Sequence, residues 1–100
     1  MRLIEIVNAR DSLQKLIVQD LPIRTAYELM KFTDEANRHL SFYGQELGKF
    51  NPKEDPERLE ELNEMDVDIG GTDRVKISLD WGLKLSASDV KMLAPLVNFE

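Results

Sequence analysis

The sequence contains no cysteine, one histidine and one tryptophan in 100 residues. Without cysteine the fold has no disulfide and no thiolate metal site, which is consistent with a reducing compartment. No apolar run approaches the roughly 18 residues that a membrane-spanning helix needs. Glu5 interrupts the first apolar stretch too early for a secretory signal. We therefore expect a cytoplasmic protein with no membrane partner.

The composition, 42% hydrophobic and 32% charged, predicts one folded domain over residues 1–100. Its charge is uneven, because residues 53–73 contain nine acids and two bases, a net charge of −7, while residues 1–52 are balanced. Such an acidic segment repels phosphate backbones, so we do not expect a nucleic-acid partner. It is either a solvated helix face or a surface that docks on a basic partner.

The hydrophobic pattern of the N-terminal half predicts an antiparallel helical hairpin over about residues 8–50. Residues 2–7 are compatible with an edge strand or with a helix start. Leu21 and Pro22 end the first helix, because the residue before proline disfavours helical dihedrals. The second helix begins either at Pro22 or at the capping-box pattern of Thr25 and Glu28.

The long second helix carries a seam of apolar and small side chains at steps of three and four residues. The seam consists of Ala26, Leu29, Thr33, Ala36, Leu40, Tyr43, Leu47 and Phe50. Phe32, His39 and Phe42 lie off this seam. A helix that is apolar on two faces needs two covers, so the C-terminal unit or another subunit must cover the second face. This pattern predicts a homo-oligomer.

An acidic connector at residues 51–64, with a short helix at 56–64, leads into a segment whose apolar residues alternate with polar ones. This alternation predicts two half-buried strands. Pairing Val67 with Val75 in antiparallel register makes a β-hairpin with residues 70–72 as its loop. It also places Asp66 opposite Lys76 and Asp68 opposite Arg74, where opposite charges favour the register.

The last part of the chain completes an α+β fold. By the same alternation Trp81 should lie on the inner face of the β-hairpin. Ser86 and Asp89 form a second capping pattern, which predicts a short C-terminal helix that Pro95 ends or kinks. The predicted fold is an antiparallel helical hairpin with one long helix, followed by a small antiparallel β-hairpin and a short C-terminal helix at residues 65–100.

No residue pattern indicates catalysis, a metal site or a cofactor. His39 lacks an adjacent nucleophile and an orienting carboxylate arrangement of the kind that catalysis requires. The segment from Asp66 to Asp73 superficially resembles a calcium loop. Gly70 stands at its fifth position and Ile77 at its twelfth, where an EF-hand needs oxygen ligands. We therefore predict a non-enzymatic protein that binds another protein.

Aromatic residues are enriched where partners dock, and exposed carboxylates suit a basic partner. These two classes supply the residues that we predict to bind a partner. They are Tyr27, Phe32, His39, Phe42, Glu57, Glu60, Glu61 and Glu64. The acidic members favour an alternative function, an inhibitor of a host system that docks on a basic surface.

The stretch Leu-Pro-x-x-Thr-x-Tyr at residues 21–27 and the pattern Ser-Ala-Ser-Asp…Leu-Ala-Pro at residues 86–95 carry a resemblance. With the order of the predicted elements, they resemble a family of small proteins of tailed bacteriophages and prophages that has no assigned activity. The resemblance implies a phage accessory or assembly protein in the host cytoplasm. It assigns no role to any residue.

Overall fold

The computed structural model describes residues 1–69 and 75–100, which form four α-helices and a two-stranded sheet. The helices are α1 (Leu3–Ile17), α2 (Ile23–Leu47), α3 (Pro56–Glu64) and α4 (Ala87–Leu93), and the strands are β1 (Val75–Ile77) and β2 (Val97–Phe99). The predicted α+β class and the helical hairpin with one long helix are confirmed.

The start of each hairpin helix resolves an alternative that the sequence left open. Residues 3–7 belong to a helix, because α1 begins at Leu3, and Arg2 precedes it in an extended conformation. Pro22 precedes α2, and its carbonyl oxygen accepts a hydrogen bond from the Ala26 N–H at 2.9 Å. The pattern of Thr25 and Glu28 therefore lies inside α2 and does not begin it. Proline fixes its own φ near the helical value, which suits it to this position.

The core forms around α1, which contacts α2, α3 and α4. Apolar residues at steps of three and four turn one broad stripe of α1 inward. The buried residues of this stripe are Leu3, Ile6, Ala9, Leu13 and Leu16. From α2, Leu29, Thr33 and Ala36 are buried, so the predicted seam packs in the core from Leu29 onward, while Ala26 is exposed.

Two shorter helices follow their sequence signals closely. The Asp55 carboxylate caps α3 by accepting from the Arg58 N–H at 3.2 Å, and Pro56 occupies the first turn. The predicted reciprocal cap of α4 is confirmed. The Asp89 N–H donates to the Ser86 hydroxyl at 3.1 Å, and the Ser86 N–H donates to the Asp89 carboxylate at 3.0 Å. The helix ends at Leu93, before Pro95.

The predicted antiparallel pairing of the strands is wrong. β1 pairs with β2 in parallel, with Val75 opposite Val97 and Ile77 opposite Phe99. A parallel pair needs a crossover, which α4 supplies, and the alternating apolar residues of both strands face the core. Of the residues that the predicted hairpin pairs, Val75 lies opposite Val97 instead, and Asp66 forms an isolated bridge with Arg2. Residues 70–72 and Arg74 lie outside the described residues.

Trp81 also departs from its predicted place on an inner strand face. The strand stops at Ile77, and a 3-10 turn follows at Leu79–Trp81. Gly82 then ends this turn with a φ of +69°, a conformation that glycine adopts without steric penalty. Because the strand alternation ends before Trp81, its side chain is 37% exposed.

Candidate interaction surfaces

The junction between α1 and α2 exposes large apolar side chains at one end of the helical hairpin. Ile23 is 89% exposed and Val18 79%; Tyr27 and Met30 are 58% and 51% exposed. Ile23, Tyr27 and Met30 follow one another at steps of four and three residues, so they share a face of α2. We call these four residues the apolar end.

A groove of about 370 Å³ runs beside the apolar end between the two hairpin helices. Ile17 and Leu21 line it from the α1 side, and Leu29 and Met30 line it from α2. Its polar wall includes Asp34 and Asn37. Met30 therefore belongs both to the exposed stripe and to the groove, which makes the two features one continuous surface. Exposed apolar patches rimmed by polar residues mark contact sites for other molecules.

The chain itself covers most of the face formed by Phe32, His39 and Phe42. Phe32 packs against the buried core. The His39 Nε2 atom lies 3.0 Å from the Asp68 carbonyl oxygen, which can only accept, so this nitrogen carries the proton. Phe42 is 39% exposed and lines a cleft between α2 and α3. Of the two covers considered from the sequence, the C-terminal part of the chain thus supplies the contact of Asp68 with His39, while α3 lies beside Phe42.

The acidic helix α3 presents its glutamates to solvent, as an acidic docking surface requires. Glu57, Glu60 and Glu61 are exposed and form no salt bridge with any residue in the described ranges. Glu64 differs, because its carboxylate lies 3.1 Å from the Arg2 guanidinium. The glutamate neighbour raises the pKa of Arg2.

Beside α3 lies a cleft of about 220 Å³. Phe42, Phe50 and Glu61 contribute to its lining, and the Arg58 guanidinium lies 4.8 Å from the centre of the Phe50 ring. The cleft brings two of the predicted partner-binding residues, Phe42 and Glu61, to one place. Tyr27 is remote from them along α2, since 15 residues of helix separate Tyr27 from Phe42, about 22 Å.

A buried carboxylate joins α4 to α1. Asp89 is buried, and its carboxylate accepts from the Ser12 hydroxyl at 2.7 Å and from the Lys15 ammonium at 3.3 Å. The Ser86 backbone N–H and the Ser12 hydroxyl are the main causes that lower the pKa of Asp89 to about 2. Because every contact is a donor to the ionised form, this group has a structural role in holding α4 on α1.

The carboxylates of the segment that resembles a calcium loop, Asp66 to Asp73, do not converge on one point in the described residues. The Asp66 carboxylate lies 2.8 Å from the N-terminal ammonium of Met1, which lowers the pKa of Asp66. Asp68 is exposed, and its carbonyl oxygen bonds with His39. Across residues 1–69 and 75–100, no group of three histidine, cysteine or acidic side chains could hold a metal ion. Asp73 lies outside those ranges.

The comparisons with known proteins return no relative. The chain matches no protein-family model, and no curated protein or solved structure is significantly similar to it. Among the helices of the described part, none combines the length and the hydropathy of a membrane span.

Sequence reasoning included Tyr27 among the binding residues but missed Val18, Ile23 and Met30. The signal was available as the i, i+4, i+7 spacing of Ile23, Tyr27 and Met30. The longer seam through Leu29 and Ala36 masks this spacing, because it already accounts for the amphipathic pattern of the helix. Val18 carries no periodic signal of its own, since it follows the last residue of α1.

Proposed function

We propose that this protein is a non-enzymatic interaction protein that associates with itself through the apolar end. The supporting observation is the exposure of Val18, Ile23, Tyr27 and Met30, each more than half accessible to solvent. Leaving these side chains in water forgoes the free energy that burial supplies, about 25 cal/mol for each Å² covered. Such a surface would suit the accessory or assembly role that the resemblance to small phage proteins implies.

The test compares two variants that add the same charge to the same helix. Tyr27→Glu places a carboxylate in the apolar end, and Ser41→Glu places one on an exposed position of α2 outside it. Sedimentation velocity at 5 to about 300 µM, the range of weak homodimers, should show association for the wild type and for Ser41→Glu. Tyr27→Glu should remain monomeric. A wild-type chain that is monomeric throughout this range contradicts the proposal.

The second candidate function is inhibition of a host system by docking of α3 on a basic surface. Its support is the exposure of Glu57, Glu60 and Glu61 without an intramolecular counter-ion in the described part of the chain. Reversing the charge at these positions and at Glu64 should abolish binding to a captured partner, and added salt should weaken it. If the variant with all four charge reversals still binds the partner, α3 is not the docking surface. Tyr27→Glu is the comparison, because it changes the apolar end and leaves α3 intact.

A further inference from the structure

Beside the apolar end, α2 carries four charged residues that alternate in sign. They are Arg24, Glu28, Lys31 and Glu35, at steps of four, three and four residues, so they follow one side of the helix. The first three are exposed and Glu35 is half-buried. None of the four forms an ion pair with another described residue. The Lys31 ammonium instead lies 5.4 Å from the centre of the Tyr27 ring.

The order of these signs is antisymmetric about the middle of the set. From Arg24 to Glu35 the charges are positive, negative, positive, negative, and in the reverse direction each sign is inverted. A second copy of α2 that runs antiparallel about this middle therefore meets each of the four charges with its opposite. Arg38, three residues beyond Glu35, lies past the first residue of the second copy's α2. Arg24 faces Glu35 of the second copy, and Glu28 faces Lys31 of the second copy. A parallel copy would place like charges together, which is unfavourable.

We propose that the apolar end is covered by a second copy of this chain whose α2 runs antiparallel, about a twofold axis level with Leu29 and Met30. The inference rests on the proposed self-association and adds its partner geometry. A twofold interface is self-complementary, and the antisymmetric charges supply that property. Met30 lies beside the axis, and Tyr27 of each copy packs near Met30 of the other. The helical spacing of Ile23, Tyr27 and Met30 suits a helix as the covering element.

Charge exchange tests the pairing. Arg24→Glu and Glu35→Arg each turn two attractive pairs of the dimer into repulsive ones, so each should raise the dimer dissociation constant about tenfold. The double variant Arg24→Glu/Glu35→Arg restores opposite signs and should return the constant to within about threefold of wild type. Arg38→Glu is the control, because it reverses the next charge of the same row, which lies past the start of the second copy's α2 in the proposed arrangement. Sedimentation equilibrium at low salt measures all four.

A cysteine-free chain also permits a direct test of the axis, because an introduced cysteine is the only thiol. Met30→Cys lies beside the axis and should form a disulfide-linked dimer under mild oxidation, since a disulfide needs Cα atoms about 4.4–6.8 Å apart. Ser41→Cys lies on the same helix about 17 Å from the axis, so its two copies are too far apart to be linked.

The outcomes distinguish an error in the antiparallel arrangement from a failure of the chain to associate with itself at all. If the double charge variant does not recover association, or if Ser41→Cys links as readily as Met30→Cys, the antiparallel arrangement is wrong although the apolar end still mediates association. If the wild-type chain is monomeric at several hundred micromolar, both proposals are wrong. Recovery by the double variant together with selective linkage through Met30→Cys supports the twofold dimer.

Discussion

The helix α1 and the first half of α2 are both amphipathic, but the chain covers them to different extents. α1 is enclosed by α2, α3 and α4, and Leu3, Leu13 and Leu16 are almost inaccessible to solvent. In the first half of α2, only the side around Leu29 is enclosed, and Ile23 remains exposed. Periodicity shows that a helix has an apolar face, but it does not show which molecule covers that face. Substitutions in α1 should therefore change stability, and substitutions in the apolar end should change association.

The largest effect is expected from Leu16→Ala. Leu16 is fully buried, so truncation removes packed methyl groups and leaves a cavity, which should lower the free energy of unfolding by about 2–5 kcal/mol. Urea unfolding measures the loss. At concentrations where the variant is folded, its dimer dissociation constant should equal that of wild type. A change in association as large as that of Tyr27→Glu would remove the distinction between the two regions.

Acid should weaken the attachment of α4 to α1, because the buried carboxylate of Asp89 accepts its hydrogen bonds in the ionised form. The folded-state pKa of Asp89 is about 2, below its ordinary value of 3.8. The folded protein therefore binds this proton less readily than the unfolded chain. The resulting stabilisation is present above pH 4 and is lost as the pH falls towards 2.

The Asp89→Asn variant isolates this contribution. Thermal unfolding between pH 6 and about 2.5 should show a steeper loss of stability in wild type than in Asp89→Asn, because the variant has no proton to take up at this position. Ser12→Ala should give an intermediate slope, since it removes one of the donors that lower the pKa of Asp89. Equal slopes for wild type and Asp89→Asn would assign the acid sensitivity to other carboxylates.

A smaller gain is expected from Gly44→Ala in the second half of α2. A Cβ atom at Gly44 meets no atom within 4 Å, so alanine should fit and stabilise the helix by about 1 kcal/mol. Gly82→Ala is the matched control. Space is also open there, but the φ of +69° strains any other residue and should make the same change destabilising. Urea unfolding compares the two, and a loss of stability in Gly44→Ala would contradict this account of α2.

The smallest effect on stability is expected where the effect on association is large. Ile23→Ser removes an 89% exposed side chain, so the free energy of unfolding of the monomer should change by less than about 0.5 kcal/mol. The dimer should nevertheless weaken, because the same side chain is buried there. Unfolding at low micromolar concentration and sedimentation at high concentration measure the two quantities separately. A large stability loss in the monomer would indicate that the apolar end packs within the chain.

Local signals predicted those parts of the fold that local interactions determine. The bounds of α3 and the reciprocal cap of Ser86 and Asp89 were predicted because Pro56 and the capping residues act on their own turn of helix. The pairing partner of β1 was not predicted. The alternation of apolar and polar residues in a strand indicates which face is buried, but it does not indicate which strand lies beside it. Residues 97–99 gave too short a segment to suggest β2.

The candidate surfaces divide in the same way. Four of the residues predicted to bind a partner are exposed, as expected for side chains that carry a polar group: Tyr27, Glu57, Glu60 and Glu61. His39 could not be placed from the sequence, since its hydrogen-bond partner, the Asp68 carbonyl, lies 29 positions further along the chain. The buried contact between Ser12 and Asp89 spans 77 positions and has no signal in either segment alone.

That long span has a consequence for the order in which the molecule is made. α1 is synthesised before α4, so its buried face is complete only when α4 has also emerged. Helical hairpins form from near neighbours within microseconds, whereas contacts between distant segments must wait for synthesis and then for loop closure. The side of α1 that carries Ser12 therefore stays uncovered on the nascent chain until Asp89 and the rest of α4 have been synthesised.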